Sequence, residues 1–139
     1  LQMIGEGLRA GELRVPEDGP VSWTARTDLA EADAAILASD GDWEGITPPL
    51  TAMEAVTMAE IAAMASGVLG REVRHTVVSD EDWVEARIAA GMPAIYAEML
   101  VGTFRAARRG DFADTHPALG ELLGRPPTSL REVIAATAR

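Results

Sequence analysis

Read as apolar and polar positions, the chain alternates amphipathic helices with short strand-like runs. Met58, Ile61, Ala62, Ala65, Val68 and Leu69 recur at i, i+3, i+4, i+7, i+10 and i+11, the stripe of a helix with one face on a core. Thr57-Met58-Ala59-Glu60 has capping-box spacing, and Gly70 supplies the left-handed stop. Val73 to Val78 is β-branched, short and bounded by Gly70 and Ser79, so it reads as the best strand. Ser79 starts the next helix, with Asp80, Glu81 and Asp82 in a first turn where the dipole favours acids; that helix ends at Gly91. Pro93 opens a longer helix through Ala107, with Ile95, Met99, Leu100 and Phe104 available for burial. Pro117 to Leu123 reads as a short helix stopped by Gly124 and Pro126-Pro127. Ser129 and Glu132 cap a terminal helix striped by Leu130, Val133, Ile134 and Thr137.

The first part of the chain is less regular. Leu1 to Ala10 reads as a short helix closed by Gly11, and Glu12 to Val15 as a strand before the turn at Pro16 to Pro20. Val21 to Thr24 has strand composition. Asp28 stands where it can cap a helix in which Leu29, Ala32 and Ile36 share a face, ending near Ser39. After a brief apolar piece at Ile46-Thr47, Pro48 and Pro49 forbid regular structure. The imbalance matters most: about six helices but only two or three short strands, too few for a stable sheet. Strands separated by such helices lie parallel and need neighbours. The expectation is one α/β, helix-rich module over residues 1–139 with an incomplete sheet, its missing strands encoded elsewhere. An opening leucine in place of methionine points the same way.

A length of 139 residues suits one domain, and an apolar fraction of 47% suits a globular one. No run reaches the roughly 18 uncharged apolar residues that span a bilayer. Leu1 to Ala10 carries Glu6 and Arg9 and lacks the form of a signal peptide. The expectation is a cytoplasmic protein without a membrane partner. The net charge of −10 repels nucleic-acid phosphates, so no nucleic-acid partner is expected. The single basic cluster, Arg105, Arg108 and Arg109, reads as cations complementing a helix end, with an anion site as the alternative.

Two absences limit the chemistry. With no cysteine there is no disulfide, thiolate nucleophile or cysteine metal site. With no lysine there is no phosphate-loop lysine and no Schiff base. The tyrosine–lysine pair of typical short-chain dehydrogenases is also missing: Leu100 stands four residues after Tyr96, the sole tyrosine. No Gly-x-Ser-x-Gly elbow occurs. Gly5-Glu6-Gly7-Leu8-Arg9-Ala10-Gly11 imitates a dinucleotide loop, but its spacing is one residue too long. Asp40-Gly41-Asp42-Trp43-Glu44-Gly45 imitates the start of a calcium loop, yet its twelfth position is Thr51 and two prolines cut it, so it reads as a solvated acidic turn. His75 and His116 lack a metal partner at i+3 or i+4, and His75 reads as a partly buried strand residue. No catalytic, cofactor-binding or metal residue is expected in this chain. Met92, Pro93, Tyr96, Met99 and Phe104 gather adaptable and aromatic side chains around one loop and helix. They suit either core packing or the apolar wall of a flat organic substrate.

Three stretches carry a family resemblance. Val21-Ser22-Trp23-Thr24-Ala25-Arg26-Thr27-Asp28-Leu29-Ala30-Glu31-Ala32 resembles the strand-then-helix segment late in NmrA-like atypical short-chain dehydrogenases. Leu50 to Pro93 resembles their next portion, through Met58-Ala59-Glu60-Ile61, Leu69-Gly70-Arg71-Glu72-Val73 and Val78-Ser79-Asp80-Glu81. Leu123-Gly124-Arg125-Pro126-Pro127-Thr128-Ser129-Leu130 resembles their carboxy-terminal signature, nearest to the NAD(P)H:quinone oxidoreductase branch. Thr47-Pro48-Pro49 stands where members often carry a glycine after the short strand. The resemblance implies a Rossmann-like parent using NAD(P)H, of which this chain is the substrate-side part, with the nucleotide held upstream of Leu1 and no cofactor bound by this chain alone. It implies reduction of a quinone or similar carbonyl compound. A redox-sensing regulator that binds NAD(P) without turnover is one alternative; a stand-alone interaction module with homo-oligomer contacts is another.

Overall fold

The computed structural model describes residues 4–39 and 45–137. The calcium-like turn at Asp40 to Glu44, residues 1–3 of the opening helix and the Thr137 side chain lie outside the described residues. Helix α1 (Gly5–Ala10) stops at Gly11, whose φ of 82° is glycine's territory. Its last carbonyls find a partner from a distance: the Arg71 guanidinium donates to the Leu8 and Arg9 oxygens, each at 2.8 Å. Strand β1 (Glu12–Pro16) pairs in parallel with β2 (Arg74–Val78), in register from Glu12 opposite Arg74 to Pro16 opposite Val78. Among the described residues these two strands form the whole sheet. Val21 to Thr24, strand-like in composition, contributes only a single antiparallel bridge from Val21 to Val56. The next amide explains why: Ser22 N–H turns to the Phe112 carbonyl at 2.9 Å and leaves the ladder.

Around this pair lie α2 (Arg26–Ala38), α3 (Met58–Leu69), α4 (Asp80–Ala89), α5 (Ala94–Arg108), α6 (Ala118–Leu123) and α7 (Leu130–Thr137). Both ends of the α3 capping box close, with Thr57 N–H donating to Glu60 at 2.7 Å and Glu60 N–H to the Thr57 hydroxyl at 3.3 Å. Asp18 adds a second cap by accepting from Met58 N–H at 2.7 Å. Its carboxyl is raised above the usual range because burial outweighs that hydrogen bond. Met58, Ile61, Ala62 and Ala65 are buried, and they share one core with Leu13, Val15 and Val73 of the sheet region and with Leu130 and Ile134 of α7. The second capping box, Ser129 with Glu132, also forms ahead of α7.

Two sequence readings change. Asp28 does not cap α2: the cap position is Ala25, in extended conformation, and Asp28 sits in the first turn with its carboxylate turned inward. Helix α5 buries Phe104 and packs Leu100 against the core as expected, but it turns Ile95 and Met99 outward. Ala97, Val101, Phe104 and Ala107 are inside, whereas Ile95 and Met99 are 77% and 59% exposed. Small alanines on the inner face let neighbouring backbone come close, and the Gly19 backbone does so at the Ala107 carbonyl.

The basic cluster does more than complement a dipole. Arg105 Nε and Arg108 donate to the Asp80 carboxylate at 2.8 and 2.9 Å, joining the last turn of α5 to the first of α4. Arg109 pairs with Asp111. The hydrogen bonds from Arg108 lead in holding the Asp80 carboxyl below its ordinary range. Because Arg105 is half exposed, Asp80→Asn is expected to cost only about 1 kcal/mol, and less in high salt. Urea unfolding at two ionic strengths checks both.

Candidate functional site

A cleft of about 1150 Å³ opens between α2, α4, α5 and α7. Its apolar wall comes from Trp23, Trp83, Met92, Leu100, Leu130 and Val133; Arg26, Arg87, Thr27, Thr128, Glu6 and Glu132 supply polar groups. A smaller cavity of about 170 Å³ adjoins it, sharing Trp23, Thr128 and Leu130 and reaching Ala52 and Val56.

Each wall is held by local bonding. Paired bonds of 3.0 Å between Val21 and Val56 anchor the segment carrying Trp23. The Thr24 hydroxyl reinforces it by donating to the Ser22 carbonyl and accepting from Ala52 N–H, both at 3.0 Å. On α4, Trp83 is 3% exposed and meets Phe104 edge-on, ring centres 5.5 Å apart at 67°. Arg87 lies four residues after Trp83, one turn along the helix, and its guanidinium carbon sits 5.0 Å from the indole ring centre. The Trp23 and Trp83 indole N–H groups are both buried without an acceptor among the described residues.

The floor is tied down by Asp28, 1% exposed. Its carboxylate accepts from the Thr128 amide, from the Thr128 hydroxyl at 2.9 Å and from Arg125 at 3.0 Å, while Arg125 also reaches Glu31 at 2.6 Å. Burial pushes the Asp28 carboxyl up, but these donors together outweigh it and hold the group below its ordinary value. Helix α2 is thereby locked to the loop that presents Thr128 to the cleft.

The five residues singled out in the sequence separate. Met92 lines the cleft, and Pro93 caps α5 beside it. Tyr96 and Met99 are 55% and 59% exposed and do not line it. Phe104 is buried behind Trp83, so it supports the wall from the core and does not face a ligand. Trp23, Trp83 and Arg87 went unnoticed, although the Trp-x-x-x-Arg spacing on a helix was a readable signal for a stacked pair. His116 serves a turn: its amide donates to the Thr51 hydroxyl at 2.7 Å and its Nδ1 accepts from Ala118 N–H at 3.1 Å. Among the described residues no group of three acids or histidines is placed to hold a metal, and no helix is long and apolar enough to cross a membrane.

The glycine run of α1 does not fit a dinucleotide. A Cβ on Gly7 would lie 2.7 Å from the Glu12 carbonyl oxygen and 2.9 Å from Leu13 Cδ2, so this glycine lets α1 pack on β1.

No family model matches the chain. Among curated proteins it is 29% identical over 125 residues to an NmrA-like family domain-containing oxidoreductase, flvB, of Aspergillus flavus, covering 88% of this chain and 40% of that one. It is 30% identical over 118 residues to quinone oxidoreductase 2 of Escherichia coli, covering 85% and 41%. It is 29% identical over 140 residues to an NAD(P)H azoreductase of Xenophilus azovorans, covering 99% and 49%. Among solved structures, 99% of the chain superposes on an NADPH-dependent quinone oxidoreductase from Escherichia coli complexed with NADPH, with a TM-score of 0.89, 26% identity and 49% of that chain covered. A Citrobacter triphenylmethane reductase complexed with NADP(H) gives a TM-score of 0.84 at 28% identity over 48% of its length.

The chain is homologous to the NmrA-like oxidoreductases. Within that class it matches the carboxy-terminal half of the quinone oxidoreductase fold. It spans less than half the length of the curated relatives it matches.

Proposed function

We propose that this chain is the substrate-side half of an NAD(P)H-dependent reductase and that the cleft between Trp23 and Trp83 receives a flat electron acceptor, a quinone or a similar conjugated compound. The observation that carries the reading is the wall itself. Two indoles, Met92 and Leu100 bound one concavity of a size suited to a small organic molecule. The relatives include a quinone oxidoreductase, an NAD(P)H azoreductase and a triphenylmethane reductase, whose names share conjugated organic acceptors. The reducing equivalents would come from NAD(P)H, held by a nucleotide-binding part that the glycine run of this chain does not supply. The residues here bind and orient the acceptor and exclude water from it.

The bare sheet supports the same division. A parallel pair is normally covered on both faces, yet Val77 of β2 is 57% exposed. Further elements from a nucleotide-binding part, strands at the edge and a helix over the face, would cover it.

The test is NADPH oxidation by the intact protein in the presence of a quinone. Turnover with saturation in quinone is expected. Trp83→Ala, which removes a wall and the support of Arg87, is expected to raise KM for the quinone at least about tenfold. Nucleotide binding without turnover for any acceptor would contradict the reductase reading and favour a redox sensor.

A further inference from the structure

We infer that the cleft selects acceptors bearing a negatively charged substituent and that Arg87 recognises the charge. The inference rests on the reductase reading and narrows its substrate class to planar aromatic anions, such as ring carboxylates or sulfonates.

The state of Arg87 is the first ground. Arg71, Arg105, Arg108, Arg109 and Arg125 all spend guanidinium donors on carbonyls or carboxylates. Arg87 instead lies over the Trp83 ring, a cation–π contact that uses none of its N–H donors. It lines the cleft, and its guanidinium meets no acceptor among the described residues. The contact with the indole also orders the side chain in advance, which reduces the entropy lost on binding.

The second ground is independent. Trp23 and Trp83, which bound the same concavity, each bury an indole N–H that has no acceptor among the described residues. Arg26 adds a further cation on the rim, in the first turn of a helix with no side-chain cap. The cleft also carries Glu132, which accepts from Ser129 at 2.7 Å, and Glu6, so its two arginines balance its two acids in a chain of net charge −10. Met92 and Leu100 line the same cleft as Arg87.

A nicotinamide nucleotide also carries anionic groups, so the experiment varies acceptor and nucleotide separately. In the intact protein, KM is measured for 1,4-naphthoquinone-2-sulfonate and for neutral 2-methyl-1,4-naphthoquinone, with wild type, Arg87→Gln, Arg87→Lys and Arg14→Gln. Wild type is expected to prefer the sulfonate. Arg87→Gln is expected to reduce that preference about tenfold and Arg87→Lys to restore part of it. Arg14→Gln removes the same charge from an exposed strand position outside the cleft and should leave the preference unchanged. An unaltered preference in Arg87→Gln, an equal change in Arg14→Gln, or a rise in KM for NADPH in place of the acceptor would overturn the inference. Turnover without charge preference defeats this inference alone. Should turnover be absent with both compounds, quenching of tryptophan fluorescence on titration still reads the preference, and equal affinities would overturn it.

Discussion

Gly19→Ala is expected to destabilise the fold by about 3 kcal/mol, at the upper end for overpacking by one methyl group. A Cβ at this buried position would lie 2.1 Å from the Ala107 carbonyl oxygen and 2.8 Å from its carbon. Both obstacles are backbone, so no rotamer change relieves them, and the turn carrying Gly19 or the end of α5 must shift. A shift of α5 would disturb Leu100 in the cleft wall and the contact of Phe104 with Trp83, and acceptor affinity would then fall with stability. Gly67→Ala provides the contrast: it lies inside α3 with nothing within 4 Å of an added Cβ. There the methyl group reduces unfolded-state entropy, and a gain of about 0.5–1 kcal/mol is expected. Urea denaturation of both variants reads the two signs.

Asp28→Ala is expected to cost about 2–3 kcal/mol, because it leaves the Thr128 amide without its acceptor in a buried place. Asp28→Asn should cost less, since the amide oxygen can still accept from Thr128. The pH dependence has a definite sign. The folded carboxyl lies below its ordinary value of 3.8, so its contribution is complete above that value and is lost as pH falls through the lower folded value. The stability difference between wild type and Asp28→Ala should be constant near neutrality and shrink only in that acid range. A difference that grows on acidification would show that Asp28 is not the accepting partner. Since Thr128 lines the cleft, the same variant should weaken acceptor binding at neutral pH.

The helices were legible because their signals are local. Both capping boxes, the α3 stripe and the glycine stops at Gly11, Gly70 and Gly124 depend on residues within a turn or two of each other. What escaped depends on distant partners. Val21 to Thr24 has the composition of a strand, but Phe112 takes the Ser22 amide. Asp28 looks like a cap until Thr128, 100 positions away, claims its carboxylate. On α5 Phe104 lies inside as its size predicts and Leu100 packs against the core, but Ile95 and Met99 do not follow, and the close approach of the Gly19 backbone favours a small residue at Ala107. The cleft suffered most. It is assembled from four separate segments, and of the residues chosen by side-chain character alone only Met92 lines it.

The most direct measurement is a nitrogen-15 correlation spectrum of the indole N–H groups in the intact protein during titration with a quinone. With the acceptor between Trp23 and Trp83, both resonances should shift and saturate together, at the concentration that half-saturates turnover. Turnover that saturates while both resonances stay fixed would place the acceptor outside this cleft.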